Sequence, residues 1–264
     1  MTKQKASTEP LVISATSVSE AYAKTLLHIV DHPGTEVSPL VLTITGFSSA
    51  DCIPEDQAVR LAMDAALKQR GETPVEDVAF TIFPQQLWTM AQGDRAKLFQ
   101  FYQWSFPAFK AWNRQKNGRG LYFQRLTMYG RGPCNGNQLE WILTQSGRKG
   151  ARRSMAQATT FDPEHDHTSS AQLGFPCLQH VTFAEASDGL VVNAFYATQQ
   201  MFNKAYGNYL GLAQLGAFMA HEMELPLARL NITIGVAKLE KIRKTESDLA
   251  RLLDAARTCV SSAG

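Results

Sequence analysis

Gly174-Phe175-Pro176-Cys177-Leu178-Gln179-His180-Val181-Thr182-Phe183 opens the stretch that decides the fold, and the stretch runs on to Glu240. Cys177–Phe183 and 189–197 are rich in apolar and β-branched residues, and Ser187-Asp188-Gly189 lies between them. An Asp-Gly pair between two such runs predicts a tight hairpin. The span 206–225 then spaces Leu210, Leu215, Phe218, Met219 and Met223 as a long helix does, with Gly207-Asn208 near its start. A strand over 232–236 follows. Strand, hairpin, strand, helix and strand in this order predict one sheet with a helix laid across it.

Working outward, the tail after Lys238 is charged and helical, with a start signal over Thr245–Asp248 and an apolar stripe of Leu249, Leu252, Leu253 and Ala256. Upstream, 19–30 and 55–69 read as amphipathic helices and 40–44 as a strand. The apolar runs 78–83 and 121–129 also read as strands, 137–145 as a short helix and 155–160 as a strand. Residues 85–112 form an aromatic-rich helical region containing Trp88, Phe99, Tyr102, Trp104, Phe109 and Trp112. At helical spacing this density predicts core rather than a platform for stacking bases. Residues 113–120 and 161–173 read as polar loops. The mixture predicts an α+β domain.

The chain has 264 residues, 44% of them hydrophobic, which is enough for one sizeable core, and no linker divides it. A net charge of +2 gives no whole-protein field directed at nucleic acid or membrane. No apolar run reaches the length of a membrane span. The polar start, with Lys3 and Lys5, has no signal-like apolar core, and residues 1–10 read as a flexible arm. Cys52, Cys134, Cys177 and Cys259 are widely spaced, which predicts reduced thiols in a cytoplasmic protein.

Three features could carry chemistry. Cys177 is a candidate nucleophile, reactive as a thiolate where donors or cations surround it; the alternative is a buried, inert thiol. Asn208 offers an amide that both donates and accepts, or it only caps the helix behind it. Arg152-Arg153 presents two guanidinium forks suited to phosphate, or it belongs to a solvated basic loop with Arg148 and Lys149. Glu164, His165, Asp166 and His167 read as a surface loop, since no second cluster completes a metal's ligand set, and no metal is expected.

Pro176-Cys177, the hairpin, Asn208 and Arg152-Arg153 lie in the order and register found in thymidylate synthase and the related pyrimidine hydroxymethylases, a family that this chain resembles. The resemblance implies a large mixed sheet flanked by helices, packed back to back with the sheet of a second subunit. Residues 1–264 would form one such domain. It also implies that Cys177 adds to carbon 6 of a pyrimidine, and that Asn208 reads O4 and N3–H of uracil. Arg152 and Arg153 would reach across the dimer to the partner's phosphate. Tyr129 would handle protons, and Gln86 would occupy the place of a catalytic glutamate. Gln200 and Lys204 would stand where the family has aspartate and glycine, with Lys204 as a replacement cation.

Other departures follow from the same register. Ala197 takes the place of a phosphate-binding arginine and Leu178 that of a histidine. Lys238 and Glu240 replace ribose-binding histidine and tyrosine, and Phe109 replaces a folate-lining tryptophan. The chain also stops one helix past Lys238, short of the family's closing strands and tail. The implied activity is transfer of a methyl or hydroxymethyl group to carbon 5 of a pyrimidine nucleotide. The donor would be of the methylene-tetrahydrofolate type, and a protein partner could supply missing site elements. The alternative is a catalytically silent homodimer that binds nucleotide or serves a complex.

Overall fold

The computed structural model describes residues 9–47, 53–112, 117, 120–167, 169, 176–240 and 242–263. Gly174, Phe175, Cys52, most of 113–120 and positions 1–8 of the expected arm lie outside the described residues. The strands are β1 (Leu11–Ala15), β2 (Glu36–Val37), β3 (Leu40–Ile44), β4 (Gln157–Thr159), β5 (Leu178–Ala186), β6 (Gly189–Gln200) and β7 (Leu227–Lys238). They form one mixed sheet in the order β1-β3-β7-β6-β5-β4, with β2 also paired to β7. β1–β3 and β6–β7 are parallel, and the other pairs are antiparallel.

The helices are α1 (Val18–Asp31), α2 (Gln57–Gln69), α3 (Val75–Phe80), α4 (Gln85–Ala91), α5 (Arg95–Trp112) and α6 (Tyr122–Thr127), then α7 (Gln138–Gln145), α8 (Pro163–Asp166), α9 (Tyr206–Glu222) and α10 (Ser247–Ser262). α9 is central: every residue from Tyr206 to Ala220 is buried. A helix apolar on all sides must be enclosed on all sides. Here β6 and β7 cover one side of α9, with α1 and α3 also against it, while α10 packs outside on α1 and α2.

The hairpin forms as expected. Gly189 has φ +130°, and a Cβ there would lie 2.3 Å from the Pro226 carbonyl oxygen, so the start of β6 can approach β7 only as glycine. Neither of two expected strands forms: the first half of 78–83 is the end of α3, and 121–129 lies mostly in α6. The cause of the first lies on α9. A Cβ on Gly207 would sit 2.6 Å from the Val78 Cβ, and one on Gly211 would sit 2.7 Å from the Ala79 carbonyl oxygen. These glycines open a groove into which α3 sinks its apolar side, so tertiary packing overrides the strand propensity of a Val-Ala-Phe run. α6 is held by Phe123, fully buried and edge-on to Phe83 and Tyr102 at 5.8 and 4.7 Å. The aromatic region splits: Tyr102 is buried, but Trp104 and Trp112 are 67% and 84% exposed. β1 had no counterpart in the sequence reading.

The two faces of the sheet differ in chemistry. Leu42, Ile232, Ala194 and Val181 are buried beneath the helical layer. On the other face a polar ladder crosses four strands. The Thr43 hydroxyl donates to Asn231 Oδ1 (3.0 Å), Asn231 Nδ2 to Asn193 Oδ1 (2.9 Å), and Asn193 Nδ2 to the Thr182 hydroxyl (3.0 Å). Val12 and Phe195 flank this face, 67% and 38% exposed.

Candidate functional site

Cys177 immediately precedes β5 and is half-buried. Its carbonyl accepts the Ala197 N–H at 3.0 Å, which fixes it against β6. Its Sγ lies 3.5 Å from the hydroxyl of Thr198, an exposed residue, so the sulfur borders the surface. The side chain of β6 that meets the sulfur is therefore Thr198 and not its neighbour Ala197.

Tyr122, brought in by α6, accepts the Leu178 N–H on its hydroxyl at 3.4 Å. Burial, and then the adjacent Cys177, push that hydroxyl well above the ordinary tyrosine range. Tyr196, opposite Leu178 across the β5–β6 ladder, is fully buried and its hydroxyl has no partner among the described residues. Burial raises it too, with Tyr122, Cys177 and Tyr209 adding to the shift. Both phenols thus remain protonated donors at physiological pH.

The strand end is secured from the other side. Thr160 donates its hydroxyl to the Leu178 carbonyl, and its N–H bonds the Gln179 carbonyl at 2.9 Å. Arg125, one turn along α6 from Tyr122, donates to both oxygens of the buried Asp166 at 2.7 and 2.8 Å and to the Thr160 carbonyl at 2.7 Å. Asp166, read from sequence as part of a surface loop, is instead a 2%-exposed anchor for that arginine.

Asn208 lies in the first turn of α9 and is 5% exposed. The helix has Ala205 at its cap position and no side-chain capping bond, so Asn208 does not act as a cap. Between β6 and α9 runs a π-helical turn, Met201–Ala205. The Glu240 carboxylate closes it, accepting N–H bonds from Asn203 (2.9 Å) and Phe202 (3.4 Å). Burial raises the Glu240 carboxyl above its ordinary value despite these donors. Glu240, expected at a ribose site, is thus engaged with backbone.

Gln200 ends β6 and is exposed, and Lys204 is half-buried in the π turn. The buried amides are Gln199 and Asn203, each with its side-chain oxygen unpartnered among the described residues. On β6 the buried positions run 192, 194, 196 and then 199. The alternation slips after Tyr196, which moves the inward side chain by one residue.

Two candidates stand apart from the sulfur. Gln86 is exposed on α4, whose Trp88 packs on Phe218 and His221 at 5.0 and 5.8 Å. Those residues lie roughly 15–20 Å along the axis of α9 from Asn208. The Tyr129 hydroxyl donates to the Phe161 carbonyl at 3.4 Å, and burial together with Asp162 raises it. Neither contacts Cys177.

Arg152 and Arg153 are exposed at the far end of β5. They line a 320 Å3 pocket with Ile142, Phe183, Glu185 and Met223. Six to eight strand residues separate Phe183 and Glu185 from Cys177, roughly 20–26 Å. Within one chain the arginines cannot share a small ligand with the sulfur.

The fit to a folate-type donor is poor. Phe109, which the family register puts on a folate wall, is turned into the core, edge-on to Phe80 at 4.8 Å and beside Tyr102. No protein-family model matches the sequence, and no curated protein matches it.

Proposed function

We propose that this chain is a diverged relative of thymidylate synthase and the pyrimidine hydroxymethylases, and that it performs cysteine-initiated chemistry at carbon 5 of a pyrimidine nucleotide. The observation that carries the reading is a surface-bordering thiol with the Thr198 hydroxyl 3.5 Å from its sulfur and the Tyr122 hydroxyl on the adjoining Leu178 N–H. The Thr198 hydroxyl stands beside the sulfur and the Tyr122 hydroxyl beside the next backbone N–H, and the thiolate is the attacking form. Its attack on carbon 6 forms the C–S bond and moves the C5–C6 π pair toward O4 as an enolate. The Asn208 amide can receive that charge as a donor. Carbon 5 is then nucleophilic and accepts a proton or a one-carbon electrophile. Loss of the original C5 proton and expulsion of sulfur restore the ring and the thiolate.

The partner in this reading is a second copy. The half-exposed polar face of the sheet, with Val12 and Phe195, supplies a self-complementary surface for an isologous contact. Such a dimer brings the Arg152-Arg153 loop of one subunit toward the sulfur of the other, with a pyrimidine nucleotide between them. The one-carbon donor is left outside the mechanism, because Phe109 does not face a folate surface.

One observation favours the second reading, a silent nucleotide-binding homodimer: Gln86, at the family's carboxylate position, is an amide and is exposed away from the sulfur. Release of tritium from C5-labelled pyrimidine nucleotides separates the two. The enzyme reading requires release that disappears in Cys177→Ala. Tight binding without release, unchanged by that substitution, establishes the silent subunit. Neither binding nor release across the panel ends both.

A further inference from the structure

The basic loop after α7 differs from the rest of the molecule in how its charges are satisfied. Arg60 binds three carboxylates, those of Glu55, Asp64 and Glu76, and Arg95 binds Glu140 and Glu222. Arg148, Lys149, Arg152 and Arg153 put four cations into six residues, and none of them forms an ion pair among the described residues. Arg148 donates only to the neutral Gln145 amide, at 3.1 Å. The single carboxylate at this pocket, Glu185, accepts a hydrogen bond from the Ser146 hydroxyl at 3.0 Å.

A terminal phosphate monoester carries about two negative charges. Arg148, Arg152 and Arg153 line the pocket against one glutamate, and Lys149, next in the chain to Arg148, adds a fourth cation beyond what one monoester needs; unneutralised cations held together repel one another. The pocket's 320 Å3 is at the small end of ligand sites, with room for a phosphate chain rather than a whole nucleotide. A polynucleotide would instead require cations strung along a track of successive phosphates.

We propose that the loop Arg148–Arg153 selects a pyrimidine nucleotide bearing two or more phosphates, with Arg148 and Lys149 engaging the phosphates beyond the first. This rests on the reading of Arg152 and Arg153 as the phosphate clamp.

The test is calorimetric titration at about 0.15 M salt, where exposed charges are screened beyond roughly 8 Å, without divalent metal. Ligands are UMP, UDP, UTP, inorganic tripolyphosphate and an oligo-dU strand. UTP is expected to bind at least about ten-fold more tightly than UMP. The double variant Arg148→Ala/Lys149→Ala, checked for an unchanged melting temperature, is expected to bring the ratio near one. Lys149→Ala alone serves if the double variant misfolds, and should lower the ratio in the same direction. Equal affinity for UMP and UTP, or a ratio that survives the substitutions, overturns the inference while leaving the pyrimidine reading intact. Tighter binding of the oligonucleotide than of UTP also overturns it, in favour of a polynucleotide track. Binding of tripolyphosphate but of no nucleotide supports the pocket and removes the pyrimidine reading. Binding of nothing removes both.

Discussion

The two ends of β5 carry opposite kinds of chemistry. At its start, Cys177 sits among neutral hydroxyls, and the nearby cation Arg125 is neutralised by Asp166. At its finish, Arg152 and Arg153 are exposed and unpaired among the described residues, around a pocket floored by Phe183 and Met223. The proposed nucleotide chemistry uses both a nucleophile and a phosphate clamp, and one strand holds them too far apart for one small ligand. The difference teaches that, on the proposed reading, the site is completed by a second copy. The polar sheet face is the surface on which the proposal pairs them.

The proposal can be broken most forcefully at the sulfur end. Cys177→Ser, nearly isosteric but a far weaker nucleophile, should reduce tritium release by about 10³-fold or more while leaving nucleotide affinity within a few-fold. Retained release removes the nucleophile from the account. The next largest effect lies on the sheet face. Asn193→Arg puts a long cation into the polar ladder, and the particle measured by light scattering should fall from two chains to one, with release lost alongside. A wild-type sample that is already monomeric contradicts the shared site without any substitution.

At the cationic end, Arg152→Ala and Arg153→Ala should each cost a charge-assisted contact of roughly 1.5–3 kcal/mol, seen as a 10- to 150-fold rise in KM or Kd. The smallest effect sharpens the sulfur end. Burial raises the folded Glu240 carboxyl above its ordinary 4.5, so the protonated form is the one the fold prefers. Its contribution to stability is complete below about 4.5 and is lost as pH rises through the raised folded value. Glu240→Gln mimics the protonated form. It should melt slightly higher than wild type at neutral pH, and the gap should close in acid. A gap that widens in acid would show that the ionised carboxylate is the form preferred in the π turn.

Much of this was legible in the residues. The Asp188-Gly189 hairpin, α1, α7 and α9 stand where periodicity and turn chemistry put them, because each carries its own pattern and its own stop signal. The elements misread were those whose conformation is decided elsewhere in the chain. α3 is a helix because Gly207 and Gly211, more than 120 residues away, leave room for it. α6 is a helix because Phe123 is captured between two other rings. Reading 121–129 as a strand also hid Tyr122, the phenol nearest the sulfur's backbone. Thr198, beside the sulfur, and the buried amides Gln199 and Asn203 were not singled out from sequence. Strand alternation locates such positions only while it stays regular, and on β6 it slips after Tyr196. Nothing in the local sequence marks that slip. Gln86 was assigned from family register alone, and the packing of α4 on the last turns of α9 puts it elsewhere.

Subunit complementation tests the central claim most directly. Cys177→Ser and the double variant Arg152→Ala/Arg153→Ala are each assayed alone for tritium release, then unfolded and refolded together. If the cavity is shared, each parent is inactive and the mixture regains release, because one of the two sites in a mixed dimer inherits an intact cysteine and an intact arginine pair. A mixture as inactive as its parents, from a sample shown by light scattering to contain mixed dimers, contradicts the account.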